Sequence, residues 1–229
     1  MATQTLAADI LGKLPLFRHT PPARVAELAR QARTEHIQRG AVIARRGDRP
    51  RGLTAVAYGL VKLSLRGDTE RVLRLVGPGE TFSEAVLFLD KPIPVDAVAL
   101  ADTLLVVVRA APLLALIDAD RAFARGMLAS LSQRIHELVM DFEATTQHGA
   151  RERLAAYLDS LAPPGVERPS VQLPASKTVI AARLGVTKET LSRLLRQMGE
   201  EGLIAMAKRE ITLRDRARLA SAARGGRPA

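Results

Sequence analysis

Three side chains late in the sequence, Glu189, Ser192 and Arg193, fall at i, i+3 and i+4, so they share one face of any helix that holds them. Arginine can donate two hydrogen bonds to the edge of a guanine, and glutamate can accept one from the amino group of a cytosine. The same Glu189–Arg193 spacing also suits an intrahelical ion pair worth roughly 0.2–0.5 kcal/mol. The two roles are compatible, because such a pair orients the arginine. Ser176, Lys177, Lys188, Thr190 and Arg196 surround that face and suit phosphate oxygens. Contacts of that kind add salt-dependent affinity without sequence information. No nucleophile–base pair, phosphate-binding loop or metal-ligand cluster stands out elsewhere, so the pattern argues against an enzyme.

The element that must position these residues is a pair of helices. Residues 175–199 read ASKTVIAARLGVTKETLSRLLRQMG. Val179, Ile180 and Leu184 give the first helix an apolar side, and Val186, Leu191, Leu194 and Leu195 give one to the second. Gly185 suits the left-handed position of the turn between them, and Thr187 is a cap for the second helix. Small Ala182 and Gly185 are expected at the close crossing. This spacing predicts a helix-turn-helix whose second helix enters the major groove. Ile204 and the run Lys208–Leu213 predict a small hairpin, or wing, after it.

Earlier elements read differently. Residues 6–33 predict short helices, with Leu11, Leu14, Leu16, Phe17, Val25, Leu28 and Ala29 inward, Thr20 as a cap and Pro21 at the first helical position. From about 36 to 108, glycines punctuate short alternating segments. Val56–Tyr58, Val61–Leu65, Val72–Val76 and Ala97–Val108 have the period of strands, which predicts a small sandwich, barrel or jelly roll. Leu128, Leu131, Ile135, Leu138 and Phe142 then recur at spacings of three and four. Two readings of this stripe stand: one face of an amphipathic helix, or the seam of a two-stranded coiled coil. A further helix is expected at 150–161, ended by Pro163-Pro164-Gly165, with a short strand at 171–173. The arginines at 214, 216, 218, 224 and 227 predict a solvated helix and tail.

Composition narrows the partners. The 229 residues include 34 Lys and Arg against 24 Asp and Glu, a net charge of +10. Residues 145–229 carry +7 of that and the remainder +3. A basic C-terminal third is the footprint of a nucleic-acid binder. There is no cysteine, which excludes disulfides, thiol redox switches and thiolate-bound iron–sulfur clusters. No apolar run approaches the roughly 18 residues of a membrane span, and no signal peptide is evident, so a cytoplasmic protein is expected.

In order and motif, the sequence resembles the CRP/FNR superfamily of transcriptional regulators. Glu189-Thr190-Leu191-Ser192-Arg193 matches the FNR-type E-x-x-S-R motif, where the classical cyclic-AMP receptor has Gly in place of Ser192. The resemblance implies an α+β chain. It would comprise a cyclic-nucleotide-binding-like β-roll over 1–110, a dimerisation helix over 111–145 and a winged helix-turn-helix over 146–229. It also implies a homodimer that reads TTGAT-N4-ATCAA-like palindromes through Glu189, Ser192 and Arg193 and works with RNA polymerase. The sensor pocket would involve Phe82, Ser83, Glu84, Pro94, Val95, Leu138 and Val139. Ser83-Glu84 stands where cyclic-AMP binders carry Gly-Glu, and Pro94-Val95 where they carry Arg-Ser. Leu138 and Val139 replace hydroxyls. The pocket is therefore expected to be apolar and to disfavour cyclic AMP.

Thr81–Ala85, Phe88-Leu89-Asp90-x-Pro92, Leu131–His136 and the Arg209-Glu210-Ile211 wing resemble the Dnr-like, nitric-oxide-responsive branch. That similarity implies haem in an apolar cavity between roll and helix. Of His19, His36, His136 and His148, His136 is the first candidate for the iron and His19 the second; the branch's N-terminal ligand position falls at Leu14. Three hypotheses remain: a haem-dependent gas-responsive regulator, the same DNA-binding dimer answering another small ligand or none, and an enzyme or regulatory subunit that uses the roll as a ligand domain. Only the first two account for residues 175–213.

Overall fold

The computed structural model describes residues 2–89 and 91–223. Asp90, Arg224 and Arg227 lie outside the described residues. Contacts divide the chain into two units. One runs to Glu137 without residues 70–72, and the other comprises Glu70–Val72 and residues from Leu138 onward.

The first unit opens with helices α1 (Ala2–Lys13) and α2 (Pro22–Gln31), joined through a 3-10 turn at Pro15–Phe17. Eight strands follow: β1 (Ala32–Ile37), β2 (Val42–Ala44), β3 (Leu53–Tyr58), β4 (Val61–Leu65), β5 (Arg71–Val76), β6 (Thr81–Phe82), β7 (Asp96–Ala99) and β8 (Thr103–Val108). Helix α3 (Glu84–Leu89) interrupts them after β6. They form two four-stranded sheets, ordered β1-β8-β3-β6 and β2-β7-β4-β5, a roll of the expected kind. Residues 97–108, expected to supply strand, hold two, because residues 100–102 turn and send β7 and β8 into different sheets.

Every residue of β8 is buried. Leu105 packs inside the roll with Val56, Val61, Val76 and Phe82. Val106 and Val108, on the opposite face, pack outward against Leu11, Leu14, Leu28 and Leu113. A strand covered on both faces reads as a continuous apolar run, as this one does. The β3–β4 turn requires Gly59, which has φ +95°. A Cβ there would stand 2.6 Å from the Asp102 carbonyl oxygen and 2.7 Å from Thr103 Cα.

The outer core depends on few aromatics. Phe17 and Phe123 stack with ring centroids 5.1 Å apart. Phe123 lies in α5 (Arg121–Gln147), which follows α4 (Ala110–Ala119). Asp120 starts α5 by accepting hydrogen bonds from the amides of Ala122 (2.9 Å) and Phe123 (3.0 Å). Thr20 does not cap α2. The cap position is Pro21, and Thr20 is buried with its hydroxyl unpaired, because the double proline moves the helix start by one residue. On α5, Leu128, Ile135, Leu138 and Phe142 are all exposed, whereas Leu131 leaves the stripe and packs on the outer core.

The second unit contains α6 (Ala150–Ser160), β9 (Ser170–Gln172), α7 (Lys177–Leu184), α8 (Lys188–Glu200), β10 (Ile204–Ala207), β11 (Glu210–Leu213) and α9 (Arg216–Ala223). The strands make one antiparallel sheet in the order β10-β11-β9, so the predicted wing takes up the predicted short strand as its third member. Arg216 is not a freely solvated side chain. It pairs with Asp159 at 2.6 Å and donates to the carbonyls of Pro163 (2.9 Å) and Val166 (3.0 Å), fastening α9 to the end of α6. Among the described residues, no helix is long and apolar enough to cross a membrane.

Candidate functional site

Helix α7 begins where the Ser176 hydroxyl accepts from the Val179 amide at 3.4 Å. It stops at Gly185, whose φ of +66° and ψ of 39° are left-handed. Thr187 then caps α8 by accepting from the Thr190 amide at 3.2 Å. Ile180, Ala181 and Leu184 of α7 are buried, as are Leu191, Leu194, Leu195 and Met198 of α8. The small residue in this core is Ala181, where Ala182 was expected; Ala182 is only part-buried, one step round the helix.

The face of α8 opposite this core carries the predicted chemistry. Lys188, Glu189, Arg193 and Arg196 are exposed, and Ser192 is part-buried between them. Among the described residues no ion pair joins Glu189 to Arg193, so both heads stand free toward solvent. Ser176 and Thr190, expected at phosphates, also serve locally. Ser176 caps α7, and Thr190 Oγ1 accepts from the Thr187 hydroxyl at 3.1 Å. Each hydroxyl keeps a proton to donate. Lys177 is part-buried at the start of α7.

The supports of this motif were not visible in the sequence. Arg153 of α6 donates from Nε to the Leu184 carbonyl at 2.9 Å and from Nη1 to the His148 carbonyl at 2.6 Å. It thereby satisfies a C-terminal carbonyl of α7 that the helix leaves open. Arg183 of α7 pairs with Asp141 of α5 at 2.6 Å. Arg151 pairs with Glu201 just past α8, and that hydrogen bond holds the Glu201 carboxyl below its usual range. Burial pushes the Tyr157 phenol up to about 12, so it stays neutral near pH 7. Except for the Arg153–His148 bond, these contacts join residues 31 to 50 apart, and no local spacing announces them.

In the first unit, the predicted pocket residues Phe82, Ser83, Glu84, Pro94 and Val95 come together around a cavity of about 140 Å³. Ala44, Leu63, Ala85, Ile93 and Ala97 complete its wall. Leu138 and Val139 belong to the second unit and are exposed on α5. The cavity is not wholly apolar. Glu84 is only 6% exposed, and its carboxylate accepts a hydrogen bond from the Thr81 hydroxyl. Ser83 is left-handed at φ +73°, a conformation that costs a residue with a Cβ about 1–2 kcal/mol. Ser83→Gly is expected to raise the melting temperature by about 2 °C after allowing for glycine's greater freedom when unfolded. Thermal unfolding checks this; an unchanged or lower value would mean that the Ser83 side chain contributes more than its backbone costs.

Comparison with known proteins agrees with this geometry. Residues 34–120 match the model of the cyclic nucleotide-binding domain, and residues 152–222 that of the Crp-like helix-turn-helix domain. A cyclic AMP receptor protein of Thermus thermophilus is 32% identical over 213 residues, 92% of this chain and 97% of that protein. The chain belongs to the CRP/FNR family of transcriptional regulators. The structure of FixK2 from Bradyrhizobium japonicum is similar at 25% identity with a TM-score of 0.71, covering 82% of this chain and 95% of that one. A CRP/FNR-family regulator from Thermus thermophilus has a TM-score of 0.66 at 25% identity, over 84% and 98% of the two chains. CRP/FNR regulators are dimeric, and the Crp-like helix-turn-helix implies DNA binding.

The haem expected from the family branch can be tested against the residues present. A cavity of about 480 Å³ separates Leu14–Leu16, Arg18 and His19 from Gly126–Glu137 of α5 and from the Gly79–Thr81 turn. Its wall is polar. Arg134 pairs with Glu137 at 3.2 Å, while Glu80 pairs with Arg74 at 2.6 Å and lies 4.0 Å from Arg134. His136 is exposed and does not line it; His19 and Leu14 do, and Leu14 offers no ligand atom. His36 lies elsewhere, 3.2 Å from the Tyr58 hydroxyl. A haem face in this cavity would have to cover the charged Glu80, Arg134 and Glu137 side chains, which do not suit an apolar macrocycle.

Proposed function

We propose that the chain is a ligand-switched homodimer that reads an FNR-type palindrome of the TTGAT-N4-ATCAA kind. The observation that carries this reading is the E-x-x-S-R set on α8, with Glu189 and Arg193 exposed and Ser192 part-buried beside them on a helix capped at Thr187. Arg193 donates to a guanine, Glu189 accepts from a cytosine, and Ser192 completes the base contacts. Ser176, Lys177, Lys188, Thr190 and Arg196 hold phosphates. Residues 1–110 serve as sensor, 111–145 as dimerisation helix and 146–229 as DNA-binding domain, with RNA polymerase as the further partner.

Leu128, Ile135, Leu138 and Phe142 form the seam of the dimer. A ligand in the roll shifts the register of the paired helices and sets the two α8 helices about 34 Å apart, one turn of DNA. The switch requires a ligand that binds one register more tightly than the other. The ligand is neither cyclic AMP nor haem in this reading. Pro94 and Val95 provide no partner for a buried phosphate, for which arginine is the usual bidentate donor. Among the described residues His136 meets no cavity, and His19 lines one in which a haem face would bury the charges of Glu80, Arg134 and Glu137, so a nitric oxide response through haem is not part of this reading.

Footprinting the full chain on a duplex carrying the palindrome tests this reading. Symmetric protection of both half-sites is expected. Protection of one half, or none that depends on the palindrome, contradicts it. Hemin titration of the same preparation is expected to give no stoichiometric ligated spectrum.

A further inference from the structure

The cavity inside the roll pairs a charge with walls that leave it unmatched. Glu84 is 94% buried, with 6% exposure, yet among the described residues no cation lines the cavity around it. Its recorded partner is the Thr81 hydroxyl. Arg74 is near enough for its charge to couple to Glu84, but its guanidinium is held by the Glu80 carboxylate at 2.6 Å and the Thr81 carbonyl at 3.0 Å. Apart from Ser83, the remaining wall is aliphatic or aromatic: Ala44, Leu63, Phe82, Ile93, Val95 and Ala97 among others. A buried carboxylate calls for a donor or a positive charge, and its field opposes an anion. Pro94 cannot even offer a backbone N–H to an anion.

From this geometry we infer that the roll takes a small aliphatic ammonium, with its charged head on Glu84 and its hydrocarbon body against Leu63, Phe82 and Ile93. The volume of about 140 Å³ limits the body, since an apolar cavity of about 150 Å³ holds a benzene-sized guest. Ser83 matters to this arrangement as well: its left-handed backbone forms the corner between β6 and α3 and starts that helix at Glu84.

This inference rests on the reading of the roll as the effector domain. The test is calorimetric titration of the full chain, without DNA, with n-butylammonium chloride, with sodium butyrate as the same-length anion, and with cyclic AMP. One saturable butylammonium site per chain is expected, with butyrate and cyclic AMP binding at least tenfold more weakly. Glu84→Gln keeps the shape and removes the charge, and is expected to weaken butylammonium at least tenfold. Pro94→Arg, at an exposed position on the rim, places a guanidinium opposite and is expected to reverse the order in favour of butyrate. The inference is overturned if butylammonium gives no saturable heat, if butyrate binds the unaltered chain as tightly, or if Glu84→Gln binds butylammonium unchanged. Footprinting is scored separately. A chain that protects the palindrome but ignores butylammonium loses only this inference, and one that binds butylammonium without protecting DNA loses only the DNA reading.

Discussion

Arg193→Ala is expected to bind the palindrome about 10- to 100-fold more weakly, with its binding to unrelated DNA nearly unchanged. A bidentate arginine–guanine contact discriminates against the wrong base by roughly 1–3 kcal/mol, and truncation removes that term. The loss falls on specific binding because the Arg193 head is exposed, pairs with no carboxylate among the described residues and therefore supports no part of the fold. The core side of α8, Leu191, Leu194, Leu195 and Met198, is left intact. Arg196→Ala provides the contrast. As a phosphate contact it should weaken every duplex alike and reduce the salt dependence by about one counterion per site. Competition binding with the palindrome and a duplex altered at one guanine separates the two. If Arg193→Ala lost affinity equally for both, Arg193 would be a phosphate contact and the base-reading assignment would fail.

The second large effect concerns α5. Leu128, Ile135, Leu138 and Phe142 are 64%, 63%, 58% and 71% exposed in the single chain, a run of apolar surface that needs a cover. In a free monomer, Ile135→Asp with Leu138→Asp would cost almost nothing. Across a two-stranded seam, four carboxylates would meet in an apolar interface, each losing its water without a cation. The doubly substituted protein is therefore expected to run as a monomer by light scattering. Its affinity for the palindrome should fall by at least 100-fold, because the half-sites are then no longer bound as one unit. Met140→Asp, also exposed but off the stripe, should leave the dimer intact. A dimer that survives the double substitution would move the interface elsewhere.

The helix-turn-helix was legible because its signals are local. Ser176, Gly185 and Thr187 each act within three or four residues, and the structure uses all three. The strands of the roll were legible by period two, although not the turn at 100–102 that divides β7 from β8. What sequence spacing could not convey was which neighbour covers a given face. Ala181 and Ala182 are adjacent and chemically identical, and only the crossing of α7 and α8 decides between them. Leu131 fits the heptad as well as Leu128, yet the outer core claims it. His136 sits on the predicted helix and points to solvent, while Glu84, expected in an apolar pocket, is its buried charge. The arginines that brace the second unit, Arg153, Arg183 and Arg216, act across loops and carry no motif.

The most direct test of the account is the affinity of the full chain for a labelled TTGAT-N4-ATCAA duplex and for a scrambled duplex of the same composition, both near 0.15 M salt. Binding as two chains per palindrome, at least about 1,000-fold tighter than to the scrambled duplex, is the predicted result. Equal affinity for the two duplexes would leave a basic chain that binds phosphates alone, and would contradict the reading of Glu189, Ser192 and Arg193 as a base-reading face.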